Sequence, residues 1–507
     1  MLEVISGRAR GRDFSAECDV AVVGSGAGGA VVATTLAEAG LDVIVLEEGP
    51  HLPAKEHGAM RQSESVRHVW RDAAMTLAVG LGDSPSINVT AGRGIGGSSA
   101  LTGGVCFRAH DHVLDEWSKE GLPELGPREM DRWYSQVERD VHVETVPEAM
   151  RSKSTRLFIE GGEKLGIPFH SMRRNTDGCN GCGRCNFGCP HQAKMSVDIA
   201  YLPRAVRAGA RILSDCLIDR VQMDGDRAAG VTGRLLDGTR GKPGSDVFVR
   251  ARHVVLAAGA MYTPLLLRRS GIGRRSGVVG KNLTLHPSFR VIARFDEPVR
   301  GWEGALQSAY SSHWEEDGML LNSVWIPNGV MVATMPGFGK AHEKWRQMAP
   351  NLAIFGGTLH DDAGGRVWSN PFGREPFMTY RMSKRDRARI PILLKRMAEI
   401  FFAAGAREVF LPVFGAGPIA SDELDAFPFE SVKGRNIECS SQHPLGSCHM
   451  GASASSSVVD PNGRTWDVPN VWVADGSILP TSLGVNPQLT IMAMAARIAD
   501  KMREAVR

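Results

Sequence analysis

Three sets of residues in this chain have the types and the spacing to do chemistry. The first is Gly24-x-Gly26-x-x-Gly29, which closes an apolar run from Val20 to Val23. Glycines so spaced permit a tight turn at Gly24, bring backbone at Gly26 against a pyrophosphate, and let a helix pack closely at Gly29. The free N–H groups and positive dipole end of the helix that follows suit phosphate. Glu47, about 20 residues on, can accept hydrogen bonds from ribose hydroxyls and disfavours a 2′-phosphate. The second set is Cys179, Cys182, Cys185 and Cys189, in the order C-x2-C-x2-C-x3-C followed by Pro190. This is ferredoxin spacing, though the chain has no second quartet. An iron–sulfur cluster, a zinc ion, and a glycine- and cysteine-rich loop with no metal are all open readings. The third set is His443, in HPLGSCHMG, and Asn486, in GVNPQLTIMAMA. No HExxH helix and no GxSxG elbow competes with them.

The elements that must position these groups are legible around them. The run before Gly24 reads as a buried strand. Ala30 to Ala39 is helix-compatible and stops at Gly40, and Val43 to Leu46 reads as a second buried strand. Strand, glycine turn, helix and strand make a βαβ dinucleotide unit spanning Gly24, Ser25, Gly26, Ala27, Gly28, Gly29 and Glu47. A second bending stretch, Gly92 to Arg108, has six glycines in seventeen residues. Val471 to Gly476 is an apolar strand that delivers Asp475 and Gly476, and an acid at a strand end can bond a ribityl chain. Leu394, Met397, Ala398, Phe401 and Ala404 form one apolar helical face within a helix from about Arg385 to Ala404, ended by Gly405. Phe289 to Phe295, Met319 to Trp325 and Val330 to Met335 read as strands of an antiparallel sheet. Residues 50–90 read as irregular structure and short helices.

GRGIGGSSALTGG resembles the first signature of the glucose–methanol–choline (GMC) flavin oxidoreductases. The resemblance extends to HVVLAAGAMYTP running into LLLRRSGIG, to VGKNLTLHP, to the cysteine segment running into GCPHQAKMSV, and to the His443 and Asn486 loops. It implies an α/β fold: a Rossmann-like FAD domain (residues 1–289 and 440–507, with a cysteine-rich insertion near 175–195) and a substrate domain (290–439) on an antiparallel sheet. It implies that Arg93, Gly97, Ser98, Thr102 and Gly103 run beside the diphosphate and flavin ring. It also implies that Ile218 meets adenine through its backbone, that Pro487 lies at the flavin, and that His443 and Asn486 are the catalytic pair. Thr102 stands where asparagine is common. Leu101 stands where some members bond flavin covalently through histidine, which implies non-covalent FAD. His286, in the LHP motif, reads as structural, and His449 has no assigned role.

The implied reaction oxidises the CH–OH group of an alcohol or sugar to a carbonyl, with hydride passing to flavin N5. Neutral imidazole, with an ordinary pKa near 6.5, would take the hydroxyl proton at His443. Asn486 would hold the oxygen without adding charge. The electron acceptor, O2 or an external one, is not encoded. Two other readings stand: an electron-transfer component passing electrons through a Cys-ligated cluster to a partner protein, and a non-catalytic ligand-binding flavoprotein. An NAD-dependent dehydrogenase would leave the later glycine-rich stretches without a cofactor role. A formal charge of +3 over 507 residues argues against nucleic-acid binding. No apolar run reaches membrane-spanning length. With a polar start to the sequence and nine cysteines, an odd number, the expectation is a cytoplasmic protein without disulfides.

Overall fold

The computed structural model describes residues 2–8, 12–237 and 242–506. The first βαβ unit lies where the sequence puts it: β1 (Phe14–Val23), α1 (Ala27–Glu38) and β2 (Val43–Leu46). Val20–Val23 pair in parallel with Val43–Leu46, and these residues are all buried. Burial on both faces is why they read as continuous apolar runs. The chain then supplies β3 (Arg211–Ser214), β4 (Cys216–Asp224), β5 (Arg227–Asp237), β6 (Lys242–Leu256) and helix α2 (Gly259–Arg269). β3, β2, β1 and β6 lie side by side in parallel, and β5 and β4 continue the sheet antiparallel.

A second sheet of eleven strands is built on β7 (Ser288–Arg294), β8 (Met319–Ser323) and β9 (Leu352–Leu359), paired antiparallel in the order β7, β9, β8. Helix α3 (Lys384–Ala403) starts at Ser383, whose hydroxyl caps the Asp386 N–H. Its predicted stripe packs under this sheet: Leu394, Met397, Ala398 and Phe401 share a core cluster with Phe289, Val291 and Phe355. β10 (Cys439–Ser441) pairs with β7 through Ser440 and Ser288. The chain then returns to the first sheet as β11 (Val471–Val473), parallel to β6, and ends in α4 (Gln488–Val506) against α1.

Two local expectations are corrected. Val330 to Met335 is not a strand: residues Asn328–Ala333 form a short helix that begins after Pro327. Met331 and Val332, adjacent in sequence, are both buried, while Val330 is exposed. A strand would alternate, so tertiary packing against Trp325 and Trp345 overrides the β-branched propensity. Residues 50–90 hold two short helices but also strands Leu77–Gly80 and Ile87–Val89, which join the second sheet, the latter in parallel beside β10. That sheet is therefore not purely antiparallel. Among the described residues no helix is long and apolar enough to cross a membrane.

Phe401 is fully buried and meets Phe158 edge-on at 4.8 Å. Phe401→Ala should lower unfolding free energy by about 3–5 kcal/mol. Chemical denaturation of the variant should show this. A loss below about 1 kcal/mol would mean that the helix–sheet core collapses around the gap.

Candidate active site

The C-terminal ends of β1, β6 and β11 converge on the N-terminus of α1, and side chains are absent where they meet. Gly24 has φ +104, and a Cβ there would lie 2.2 Å from the Ala257 carbonyl oxygen. A Cβ on Gly28 would lie 1.8 Å from the Ala474 oxygen, and one on Gly29 would lie 2.0 Å from the Gly24 oxygen. At Gly26 the nearest atom would be 3.9 Å away, so open space faces the helix start. A large cavity opens there. Gly24, Gly26, Ala27, Gly28 and Glu47 line it, together with Gly97, Ser98 and Ile218 and with Asp475, Gly476, His443 and Pro487. An elongated phosphate-bearing cofactor fits this cradle of bare backbone.

The acids are built into it. Glu47 is buried and accepts the Ser25 N–H at 3.0 Å, the Ser25 hydroxyl at 2.7 Å and the Gly49 N–H at 2.9 Å. Burial raises its pKa. Asp475 accepts the Gly259 N–H at 2.8 Å, the Thr263 hydroxyl at 2.5 Å and the Ser477 N–H at 2.8 Å, and burial raises its pKa too. Sequence reasoning missed Glu48. Burial alone would raise its pKa, but Arg71 and Arg93 outweigh that and hold it at about 2. Arg71, Tyr262, Arg374 and Glu375 line the same cavity. Glu48 adjoins the expected acid, a signal the sequence carried. The others come from distant segments that no motif marks.

Five expected cofactor residues do not line this cavity. Ser25 turns its hydroxyl to Glu47. Gly29 serves helix–strand packing. Arg93 pairs with Glu48 at 3.2 Å and faces a neighbouring small cavity. Thr102 donates to Gln488 Oε1 at 3.0 Å, joining the glycine-rich stretch to the start of α4. Gly103 sits where a Cβ would strike the Gln307 side chain at 1.7 Å, and its carbonyl accepts from Arg174 at 2.6 Å. Leu101 is buried against Val69 and Trp70.

His443 and Asn486 meet, with Asn486 Nδ2 3.1 Å from His443 Nε2. Asn486, one residue before Pro487, does not itself line the cavity. Burial lowers the pKa of His443 to about 4, well below the ordinary value. On its other side His443 Nδ1 lies 3.3 Å from Nδ1 of fully buried His286. His449 points away, to the Ser456 carbonyl oxygen at 2.8 Å.

The four cysteines line one very small cavity together with Arg174 and Lys194. Cys185 is buried, and its sulfur accepts from Arg174 Nη2 at 2.9 Å. Burial pushes this thiol up, but Arg174 and Lys194 overcome it and hold the pKa below the ordinary value. Lys194 donates to the carbonyls of Ala100, Thr102 and Cys185. Among the described residues no three His, Cys, Asp or Glu side chains are arranged to hold a metal ion. The quartet therefore does not fit a cluster or a zinc ion as it stands. Gly181, Gly183 and Gly188, all at positive φ, bend the loop between the cysteines, and a cation takes up the Cys185 sulfur.

Two measurements follow from these contacts. Glu47→Ala should weaken FAD binding by about 1.5–3 kcal/mol, as for a charge-assisted hydrogen bond. Unchanged affinity in a flavin titration would remove Glu47 from the site. Elemental analysis of anaerobically purified protein should find less than stoichiometric iron and zinc. A full equivalent of either would mean that the cysteine loop rearranges around metal.

GMC oxidoreductase profiles match residues 19–288 and residues 367–495. An uncharacterized GMC-type oxidoreductase of Mycobacterium tuberculosis is 38% identical over 485 residues, covering 95% of this chain and 75% of that protein. A long-chain-alcohol oxidase of Arabidopsis thaliana is 29% identical, covering 97% of this chain and 68% of that protein. The fold matches pyridoxine 4-oxidase from Mesorbium loti with a TM-score of 0.72 at 21% identity, over 96% of this chain and 99% of that one. A β-unit of bare backbone, the second glycine-rich stretch beside it and these matches along most of the chain lead to one conclusion: the chain belongs to the GMC oxidoreductase family, whose flavoprotein members use FAD.

Proposed function

We propose that this protein oxidises the CH–OH group of a small alcohol or sugar to a carbonyl, and that His443 and Asn486 meet the substrate oxygen. The observation that carries the reading is their contact at 3.1 Å, with His443 lining the same cavity as the glycine cradle. Gly24, Gly26, Gly28, Glu47, Ile218 and Asp475 would hold FAD, which supplies a hydride acceptor at flavin N5 when bound. With a hydrocarbon side chain at Leu101, FAD is held non-covalently. Residues 1–289 with 440–507 serve the cofactor, and 290–439 the substrate. The long-chain-alcohol oxidase relative supports an alcohol donor. The electron acceptor is O2 or an external molecule. A cluster-based electron-transfer role draws no support from the cysteine geometry.

His443, as base, takes the proton of the substrate hydroxyl, and Asn486 aligns that oxygen. His443→Ala should slow anaerobic flavin reduction by about 10²–10⁴. A near wild-type rate would move the chemistry elsewhere. If no alcohol or sugar in a broad panel reduces the flavin, the non-catalytic reading replaces this one.

The pH profile has a definite sign. The neutral ring is the working form, and burial holds its ionisation near pH 4 rather than in the ordinary histidine range. Flavin reduction should therefore rise with pH through about 4 and stay level to neutrality. A rise centred in the ordinary histidine range would assign the ionisation to another group.

A further inference from the structure

His286 touches His443 and the backbone of the turn that leads to Asn486. Its Nε2 accepts two backbone N–H groups, from Leu483 at 3.0 Å and Gly484 at 3.3 Å. Its Nδ1 lies 3.3 Å from His443 Nδ1. A ring nitrogen that accepts N–H groups carries no proton, so neutral His286 must hold its one proton on Nδ1. That N–H points at His443 Nδ1, which must then accept. We propose that His286 is a positioning residue that fixes the proton of neutral His443 on Nε2, so that His443 meets the substrate oxygen as an N–H donor in the resting enzyme.

The surroundings leave His286 no other arrangement. The ring is fully buried, and both nitrogens are engaged. The titratable groups around it are His443, His360 and Asp361. The two histidines disfavour a second proton on the ring, as burial does more strongly. Asp361 binds the backbone and not the ring, accepting the His286 N–H at 3.0 Å and the Leu285 N–H at 3.1 Å. The same carboxylate accepts the Ser482 hydroxyl at 2.9 Å. One buried acid thus pins the segment carrying His286 and the turn leading to Asn486. His286 sits at φ +48, a left-handed conformation rare outside glycine, and these bonds hold it there.

The consequence for His443 is specific. With its proton on Nε2, the Asn486 amide presents Oδ1 to that N–H in the free enzyme, an end-for-end rotation that leaves the heavy-atom positions unchanged, and a bound substrate oxygen shares or takes over the N–H. To take a proton at Nε2, His443 would first have to move its own to Nδ1, against the His286 N–H. The resting dyad therefore orients the substrate hydroxyl as an acceptor of the Nε2 N–H, and transfer of the hydroxyl proton to His443 Nε2 requires that tautomer change first. This rests on the proposed site but not on the identity of the substrate.

The test is a long-range ¹H–¹⁵N correlation spectrum of FAD-loaded protein labelled with ¹⁵N-histidine, at neutral pH. His443→Ala and His286→Gln identify the two rings. His443 should be protonated at Nε2 and bare at Nδ1, with His286 the reverse. In His286→Gln the amide oxygen can still accept the Leu483 and Gly484 N–H groups, but no donor faces His443 Nδ1. His443 should then shift its proton toward Nδ1, which a merely structural role for His286 would not cause. A proton on Nδ1 of His443 in the wild type, or an unchanged His443 ring in a folded His286→Gln protein, overturns the proposal. If His286→Gln does not fold, the wild-type spectrum assigned through His443→Ala still decides. Failure of every alcohol to reduce the flavin would leave this spectrum as it is, so the two readings fail separately.

Discussion

The structure depends on how closely backbone approaches backbone at the ends of three strands. β1, β6 and β11 end around the first turn of α1, and the glycines there leave no space for a Cβ between Gly28 and Ala474 or between Gly24 and Ala257. A methyl group at either position would push a carbonyl aside, and a shift of one strand end in a parallel sheet moves its neighbours. The donors of the helix start, the acid after β2 and the acid after β11 share one cavity only because these contacts set the spacing. The second sheet then has a fixed frame to work against. β10 hydrogen-bonds to β7 and delivers His443, while the turn after Ser482 delivers Asn486.

The first of these levels was legible in the residues. The βαβ unit, Glu47, Asp475 and the apolar face of α3 follow from periodicity and glycine spacing, because each depends on neighbours within one turn or one strand. Asn486 and His443 were found as a pair through family resemblance. Nothing local to either loop says that they touch. His286 illustrates the limit. Its motif placed it as a structural residue, and its ring is as buried as that implies. What the sequence cannot express is that the ring's two nitrogens face segments more than 150 residues further on. The short helix at Asn328–Ala333 failed for the opposite reason: local propensity was clear, and packing against Trp325 and Trp345 overrode it.

The cysteine segment shows how much of a motif's surroundings lies outside the motif. The four residues do come together. Yet the charged partners of Cys185 are Arg174 and Lys194, neither of which lies inside the four-cysteine motif. Both cations hold carbonyls of the glycine-rich stretch, at Ala100, Thr102 and Gly103, as well as Cys185. The loop thereby acts as a clamp on the backbone beside the cavity. Burying two cations is expensive unless their donors are satisfied, and here carbonyl oxygens and one sulfur satisfy them.

The return of the chain to its first sheet has a consequence in time. On the ribosome, β1, α1 and β2 emerge early, with bare glycine backbone and an apolar α1 that has nothing to pack against. Ala474, the carbonyl that meets Gly28, and α4, which covers α1, arrive about 450 residues later. At roughly 5–20 residues per second, that interval is some tens of seconds during which the glycine cradle is incomplete. Pairing across so long a separation is also the slow kind. Cofactor capture is thus a late event in the life of the nascent chain, and a chain stalled before β11 has an exposed sheet edge and an unfinished cradle.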